Sequence, residues 1–370
     1  MRVRLGLAAI AIAAIAIPAA RAARPPTPLN LPAPSVAAPI GVRSLWWIDR
    51  SRADPFVPRS RRELMVTLWY PAARGSTQPL ARYMPPAVAQ RFEQMEGAFT
   101  GTFKALRTHA VANAPIAGGK HAILIFSPAF GFTGALYTTL LEDLAAHGYV
   151  VASIDPTHEA FAVQFPGARL EKPRFRDSPD LLDRSLSVRI ADARFVLNRL
   201  TGLQRRGRFA GRLDLAHAGI FGHSIGGAAA VNVLLADRRF RAAIDLDGSI
   251  LGPVTGQPVD RPVMLVTSRR AYAEDPTLQR LWAHLKASRI RIVVAGAGHY
   301  TFSDLAVFRP QFGASVPPGL QYDSTGTFPP ERYLPAVRSL VAAFFDRYVR
   351  DQAAPMVQRP SRRFPVLRRF

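Results

Sequence analysis

Ala218-Gly-Ile-Phe-Gly-His-Ser-Ile-Gly-Gly-Ala-Ala-Ala230 is the stretch whose reading decides the fold. An apolar run, Ala218 to Phe221, leads into Gly222-His223-Ser224-Ile225-Gly226, a G-x-S-x-G pattern, and an Ala-rich helical run follows at once. Strand, sharp turn and helix in that order place a serine on a strained elbow, with Oγ pushed out above a sheet. Gly222 and Gly226 must be small because neighbouring segments approach such a turn closely. The helix that opens after Ser224 aims unpaired N–H groups and its positive dipole end at the place where an oxyanion would form. A nucleophile there needs a base, an acid and a second oxyanion donor from the rest of the chain.

The 370 residues include no Cys, which excludes a disulfide, a lipoprotein cysteine and a thiol nucleophile. Met1-Arg-Val-Arg4 is basic, Leu5 to Ile17 is apolar, and Ala20-Arg-Ala22 ends the run with small residues. That order reads as a signal peptide cleaved near Ala22, hence an exported protein, periplasmic or secreted; a membrane anchor would need about 20 apolar residues. Residues 23–40 are Pro- and Ala-rich and read as a linker that builds no core. Residues 41–350 are expected to form one large α/β domain, followed by a basic tail, 351–370, with Arg359, Arg362, Arg363, Arg368 and Arg369.

The formal charge is +22, and of 48 basic residues only Lys104, Lys120, Lys172 and Lys286 are lysines. Such a surface attracts anions, including the headgroups of anionic membranes, which makes peripheral membrane contact an expectation. No nucleic-acid-binding motif accompanies the charge, so no nucleic-acid partner is expected, and an Arg-rich composition accounts for the charge as well.

His121 to Ser127 is apolar on both faces, as a central parallel strand is, and Pro128-Ala-Phe-Gly-Phe-Thr-Gly134 follows as a loop. Further strands are expected at Val42 to Ile48, Leu64 to Tyr70, Tyr149 to Ile154, Arg241 to Leu246, Pro262 to Thr267 and Ile290 to Ala295. Helical spacing marks Pro85 to Phe103, Tyr137 to His147, Leu181 to Leu200, Pro276 to Ala287 and Arg332 to Arg350. The fold class is α/β: a mostly parallel, doubly wound sheet with antiparallel N-terminal strands.

Ligands of such sheets bind outside the carboxyl ends of the strands, where Ser127, Ser224, Asp247 and His299 fall. Ser, Asp, His in chain order is the α/β-hydrolase arrangement. Asp245, two residues before Asp247, is the rival acid; Asp247 is favoured because it lies nearer the strand end and Gly248 permits a turn. His299 is favoured as base because it follows a late strand in a small-residue loop, downstream of the acid. His158 follows a strand end and is a candidate pocket residue, whereas His223 is expected to project away from Oγ as scaffold. The backbone N–H groups of Phe130 and Ile225 are the expected oxyanion donors. No H-E-x-x-H or other ligand spacing occurs, so no metal or cofactor is expected.

Phe126 to Tyr137, Leu144 to Val151, Gly222 to Ala228, Ile244 to Gly248, His299 to Asp304 and Leu64 to Ala72 together resemble the platelet-activating factor acetylhydrolase family, its secreted plasma-type group and bacterial relatives. The resemblance implies a calcium-independent serine lipase with Ser224, Asp247 and His299 as triad and Phe130 and Ile225 at the oxyanion positions. It implies hydrolysis of short or oxidised sn-2 acyl groups of phospholipids. The oxyanion loop departs from the family in carrying Ala129 where Gly is usual. Alternatives are a secreted polyester or cutin hydrolase, a general carboxylesterase, or, outside enzymes, an envelope-binding protein on a hydrolase scaffold.

Overall fold

A computed structural model describes residues 28–268, 275–316 and 325–369; the expected signal peptide lies outside them. The strands are β1 (Ile40–Ala53), β2 (Arg61–Pro71), β3 (Leu80–Arg82), β4 (Arg107–Ala112), β5 (His121–Ser127), β6 (Val150–Asp155), β7 (Val163–Gln164), β8 (Leu170–Glu171), β9 (Leu213–His223), β10 (Phe240–Leu246), β11 (Val263–Ser268), β12 (Arg289–Val294) and β13 (Leu367–Arg369). All but the β7–β8 hairpin join one 11-stranded sheet in the order β13-β12-β11-β10-β9-β5-β6-β2-β1-β4-β3. From β6 to β12 every neighbouring pair is parallel; β2 meets β6 antiparallel, and so do β1 with β2.

The helices used below are α1 (Pro86–Glu96), α2 (Thr102–Ala105), α3 (Thr138–Ala146), α4 (Leu181–Arg205), α5 (Ile225–Ala236), α6 (Pro276–His284), α7 (Leu305–Phe308) and α8 (Pro330–Tyr348). Alternate residues of β5 serve two cores: Leu124 and Phe126 belong to the one that includes α3 and α8, whereas Ile123 and Ile125 belong to the one that includes α4, α5 and α6. This two-sided burial is why the strand reads as continuously apolar. The chain leaves β5 for β6 on one side and returns past it to β9 on the other, so the topological switch, and the crevice it opens, lies at the carboxyl ends of β5 and β9.

Three expectations change. The helix expected over Pro85 to Phe103 breaks at Gly97, which is left-handed at φ 68°; the Glu93 carboxylate then accepts N–H bonds from Gly101, Phe103 and Lys104 and caps α2. The Pro/Ala-rich segment, from residue 28 on, lies against the core: Leu29 and Leu31 are buried, and Arg338 of α8 donates to the carbonyls of Pro32 and Ala33. The basic tail ends in a strand, β13, antiparallel to β12, with Leu367 fully buried. Each departure depends on partners far along the chain, which local composition does not reveal.

Asp304, at the start of α7, ties the segment after β12 to α3. Its backbone N–H donates to Leu136 O (2.6 Å), and its carboxylate accepts from Thr139 Oγ1 (2.5 Å) and Tyr83 Oη (3.0 Å). Burial raises its pKa to about 6, against the lowering effect of those hydrogen bonds. The folded state therefore holds a proton that an unfolded Asp, near 3.8, has lost. Native protein binds more protons across that window, so stability falls as pH rises from about 4 to about 6, by about 3 kcal/mol for this group. In Asp304→Asn this contribution disappears, and urea midpoints measured between pH 4 and 6 should flatten relative to the unaltered protein.

Candidate active site

Ser224 sits between the last residue of β9 and the first of α5 at φ 57°, ψ −127°. A non-glycine residue there costs about 1–3 kcal/mol and persists only where its surroundings impose it. They do: Ser224 N–H donates to Leu246 O of β10 (2.9 Å), while its carbonyl accepts from Gly227 and Ala228 (2.9 and 3.1 Å). A side chain on Gly222 would overlap the Gly226 backbone and lie 2.6 Å from Ser127 O; one on Gly226 would overlap Ser127 O and lie 2.6 Å from Pro128 O. The two glycines let β9, α5 and the loop after β5 share one small volume.

β10 ends at Leu246, and Asp247 turns out of it at φ 53°. Its N–H donates to Val266 O (2.8 Å), its Oδ1 accepts from the Ser268 N–H (2.6 Å), and its Oδ2 lies 2.9 Å from His299 Nδ1. A carboxylate only accepts, so the proton lies on Nδ1 and Nε2 is left to accept one. The His299 side chain is 35% exposed and that of Asp247 1%: the imidazole reaches solvent and the carboxylate is sealed behind it. Ser224 Oγ has no hydrogen bond among the described residues, a looseness common before substrate binds.

Asp245, the rival acid, does not meet His299. It is fully buried, and burial first, then the charge of Asp247, raises its pKa well above the usual carboxylate range, although the Gly248 N–H donates to it (3.0 Å). Its Oδ1 is wedged beneath the elbow, against Gly227 and Gly248. The two aspartates part because Asp247 leaves the strand through a positive φ that sequence alone does not show.

In the loop after β5, neither Phe130 N–H nor the Ile225 N–H at the start of α5 makes a hydrogen bond among the described residues. Ala129 is not in the left-handed region, so the position makes no demand for glycine. Its N–H donates to Tyr137 Oη (3.1 Å), and that hydroxyl is in hydrogen-bond contact with His223 Nδ1 (2.7 Å). His223 is fully buried; burial, then the proximity of His299, pushes its pKa well below the usual histidine value and keeps it neutral. Its ring centroid lies 4.6 Å from that of His299, so the residue expected as scaffold packs beside that imidazole. Two aromatic pairs bear on the same loop: Phe130 with Phe175 at 5.0 Å, and Phe132 stacked on Tyr300 at 5.3 Å.

His158 is drawn into a buried ion cluster, its Nδ1 3.0 Å from Asp54 and its Nε2 3.5 Å from Glu171. Ser127 Oγ accepts from Arg189 (2.9 Å) rather than facing substrate. Tyr137 and Arg189 are the residues that sequence reading missed. The signal for Arg189 was present: with Asp192 it falls on the apolar face of α4, among Leu186, Ala193 and Val196. Among the described residues no group of three or more His, Asp or Glu is placed to hold a metal ion.

The switched parallel sheet and the strand–elbow–helix at its centre define an α/β-hydrolase. Residues 57–165 and 194–323 match the family described as platelet-activating factor acetylhydrolase, isoform II, and the chain belongs to that family. A ferulic acid esterase from Streptomyces cinnamoneus is similar in structure: TM-score 0.81, 38% identity, covering 93% of this chain and all of that one. An Arthroderma benhamiae protein named "Probable 1-alkyl-2-acetylglycerophosphocholine esterase" is 25% identical over 67% of this chain and 66% of its own length. The platelet-activating factor acetylhydrolase of Cavia porcellus is 26% identical over 55% of this chain and 53% of its own. The matched stretch thus spans between half and two thirds of these two relatives.

The two aspartates make opposite predictions. Asp247→Asn, which leaves His299 with the wrong tautomer, should lower kcat for p-nitrophenyl acetate by about 10³–10⁴-fold. Asp245→Asn keeps the size and shape of a side chain that makes no contact with His299 and should leave kcat within about threefold.

Proposed function

We propose that the protein is a serine ester hydrolase that works through an acyl-enzyme on short acyl esters, in the manner of the platelet-activating factor acetylhydrolases. The observation that carries this reading is the Asp247–His299 pair, held at 2.9 Å on the loops beside the strained Ser224 elbow. In the mechanism His299 Nε2 takes the proton of Ser224 as Oγ attacks the ester carbonyl, and Asp247 stabilises the imidazolium. The N–H groups of Phe130 and Ile225 bind the oxyanion; the alcohol leaves with the proton from His299, and water, deprotonated by the same imidazole, releases the acid.

A second reading, a general carboxylesterase acting on bulkier acyl groups, is favoured by the likeness to the ferulic acid esterase and by the aromatic pairs around the oxyanion loop. A fluorophosphonate should label Ser224 alone, and Ser224→Ala should abolish hydrolysis of p-nitrophenyl acetate; unchanged turnover in that variant would remove the reading. A panel of p-nitrophenyl esters, methyl ferulate and short-chain phospholipids separates the substrate classes, with a steep loss of rate from acetyl to long chains expected of the acetylhydrolase type.

The reading includes export, on the strength of the leader-like first 22 residues, and peripheral contact with anionic lipid surfaces through the exposed arginines of the C-terminal segment. Because β13 belongs to the sheet, the charges have to be tested without deleting it. Arg362→Gln with Arg363→Gln should weaken adsorption to anionic vesicles and flatten its dependence on salt.

A further inference from the structure

We propose that Arg189 is a positioning residue of the oxyanion site, which through two backbone carbonyls fixes the direction in which the Phe130 N–H points. The proposal rests on the serine esterase reading above. Arg189 projects from α4 and is 3% exposed. Its Nη1 donates to Pro128 O (2.5 Å) and Ser127 Oγ (2.9 Å), its Nη2 to Ala129 O (3.4 Å), and its Nε to Glu159 Oε2 (3.2 Å).

In a trans peptide the carbonyl and the following N–H point in opposite directions. The Pro128–Ala129 peptide is gripped at both ends, its carbonyl by Arg189 and its N–H by Tyr137 Oη (3.1 Å). The next peptide has its carbonyl, Ala129 O, turned to Arg189 and to the Phe132 N–H (3.1 Å), which turns the Phe130 N–H the other way, with no protein partner among the described residues. The loop has little room to rotate, since a side chain on Gly226 would already lie 2.6 Å from Pro128 O. An arginine suits the task because its planar fork reaches consecutive carbonyls from one rigid group, whereas a lysine supplies a single flexible point charge. Glu159, itself fully buried, holds the guanidinium from behind.

The test uses the full chain and two variants. Arg189→Lys keeps the charge and loses the fork; Arg189→Met combined with Glu159→Gln removes the fork without leaving a buried carboxylate unpaired. Competent serines are counted by fluorophosphonate labelling carried to completion, then kcat and KM are measured for p-nitrophenyl acetate. Inhibition by a trifluoromethyl ketone, whose hemiketal oxygen would occupy the oxyanion site, is measured alongside. Expected in each folded variant is a loss of about 100-fold in kcat per competent serine, KM within about threefold, and ketone affinity weakened in step with kcat. A kcat per competent serine within threefold of the unaltered protein, or ketone affinity that falls no more than KM rises, would overturn the proposal. If the double variant does not fold, Arg189→Lys decides alone. An unaltered protein that is neither labelled nor active would overturn the esterase reading instead, so the two failures are distinguishable.

Discussion

Three backbones meet at one point in this protein: the end of β9 at Gly222, the first turn of α5 at Gly226, and the loop after β5 at Ser127 and Pro128. Contact that close is open only to residues without a side chain, and it forces Ser224 into a backbone conformation that a serine does not choose unaided. The strain is sustained because the end of β9, from Ala218 to His223, and α5 as far as Leu234 are buried and cannot relax separately. Once the elbow is set, the ends of β5, β9 and β10 are spaced by the sheet itself, so that the loop after β5 and Asp247 lie beside Ser224.

Around that point lies a second layer of buried polar groups. Arg62 is fully buried between Asp54 (3.0 Å), Asp192 (2.7 Å) and the carbonyl of Thr157 (2.7 Å), and so joins β2 and the turn after β1 to α4 and the end of β6. Burial alone would raise the pKa of Asp54, but the His158 hydrogen bond and the Arg62 charge bring it down to about 2. One helical turn earlier on α4, Arg189 grips the loop after β5. Buried pairs of this kind add little net stability over apolar packing, yet removing one partner costs about 3–5 kcal/mol. Their contribution is to direction: α4 carries two arginine contacts that set where the loops above the sheet lie.

The likeness to both an esterase of 38% identity and acetylhydrolases near 25% fits this division of labour. Elbow, acid loop and base loop come from strand ends, which the sheet holds in common positions. The groups around the reacting centre come from longer loops: Phe130 packs on Phe175, and Phe132 on Tyr300. Side chains on those loops can change without moving the strand ends.

By itself the sequence determined the features set by near neighbours. An apolar run followed by Gly-x-Ser-x-Gly and an Ala-rich helix specifies an elbow, since glycine, strand and helix propensities act over a few residues. The same holds for the buried parallel strands. Strand-end position favours Asp247 over Asp245 in the sequence; the tertiary structure adds the 2.9 Å contact of Asp247 with His299 and the burial of Asp245 away from it. It also brought Leu29 and Leu31 into the core and made a strand of Leu367–Arg369. Arg189 and Tyr137 acquire their places only when α4 and α3 close on the loop after β5. In each case the deciding energy, burial or a hydrogen bond to a residue far along the chain, does not exist until the fold brings the partners together.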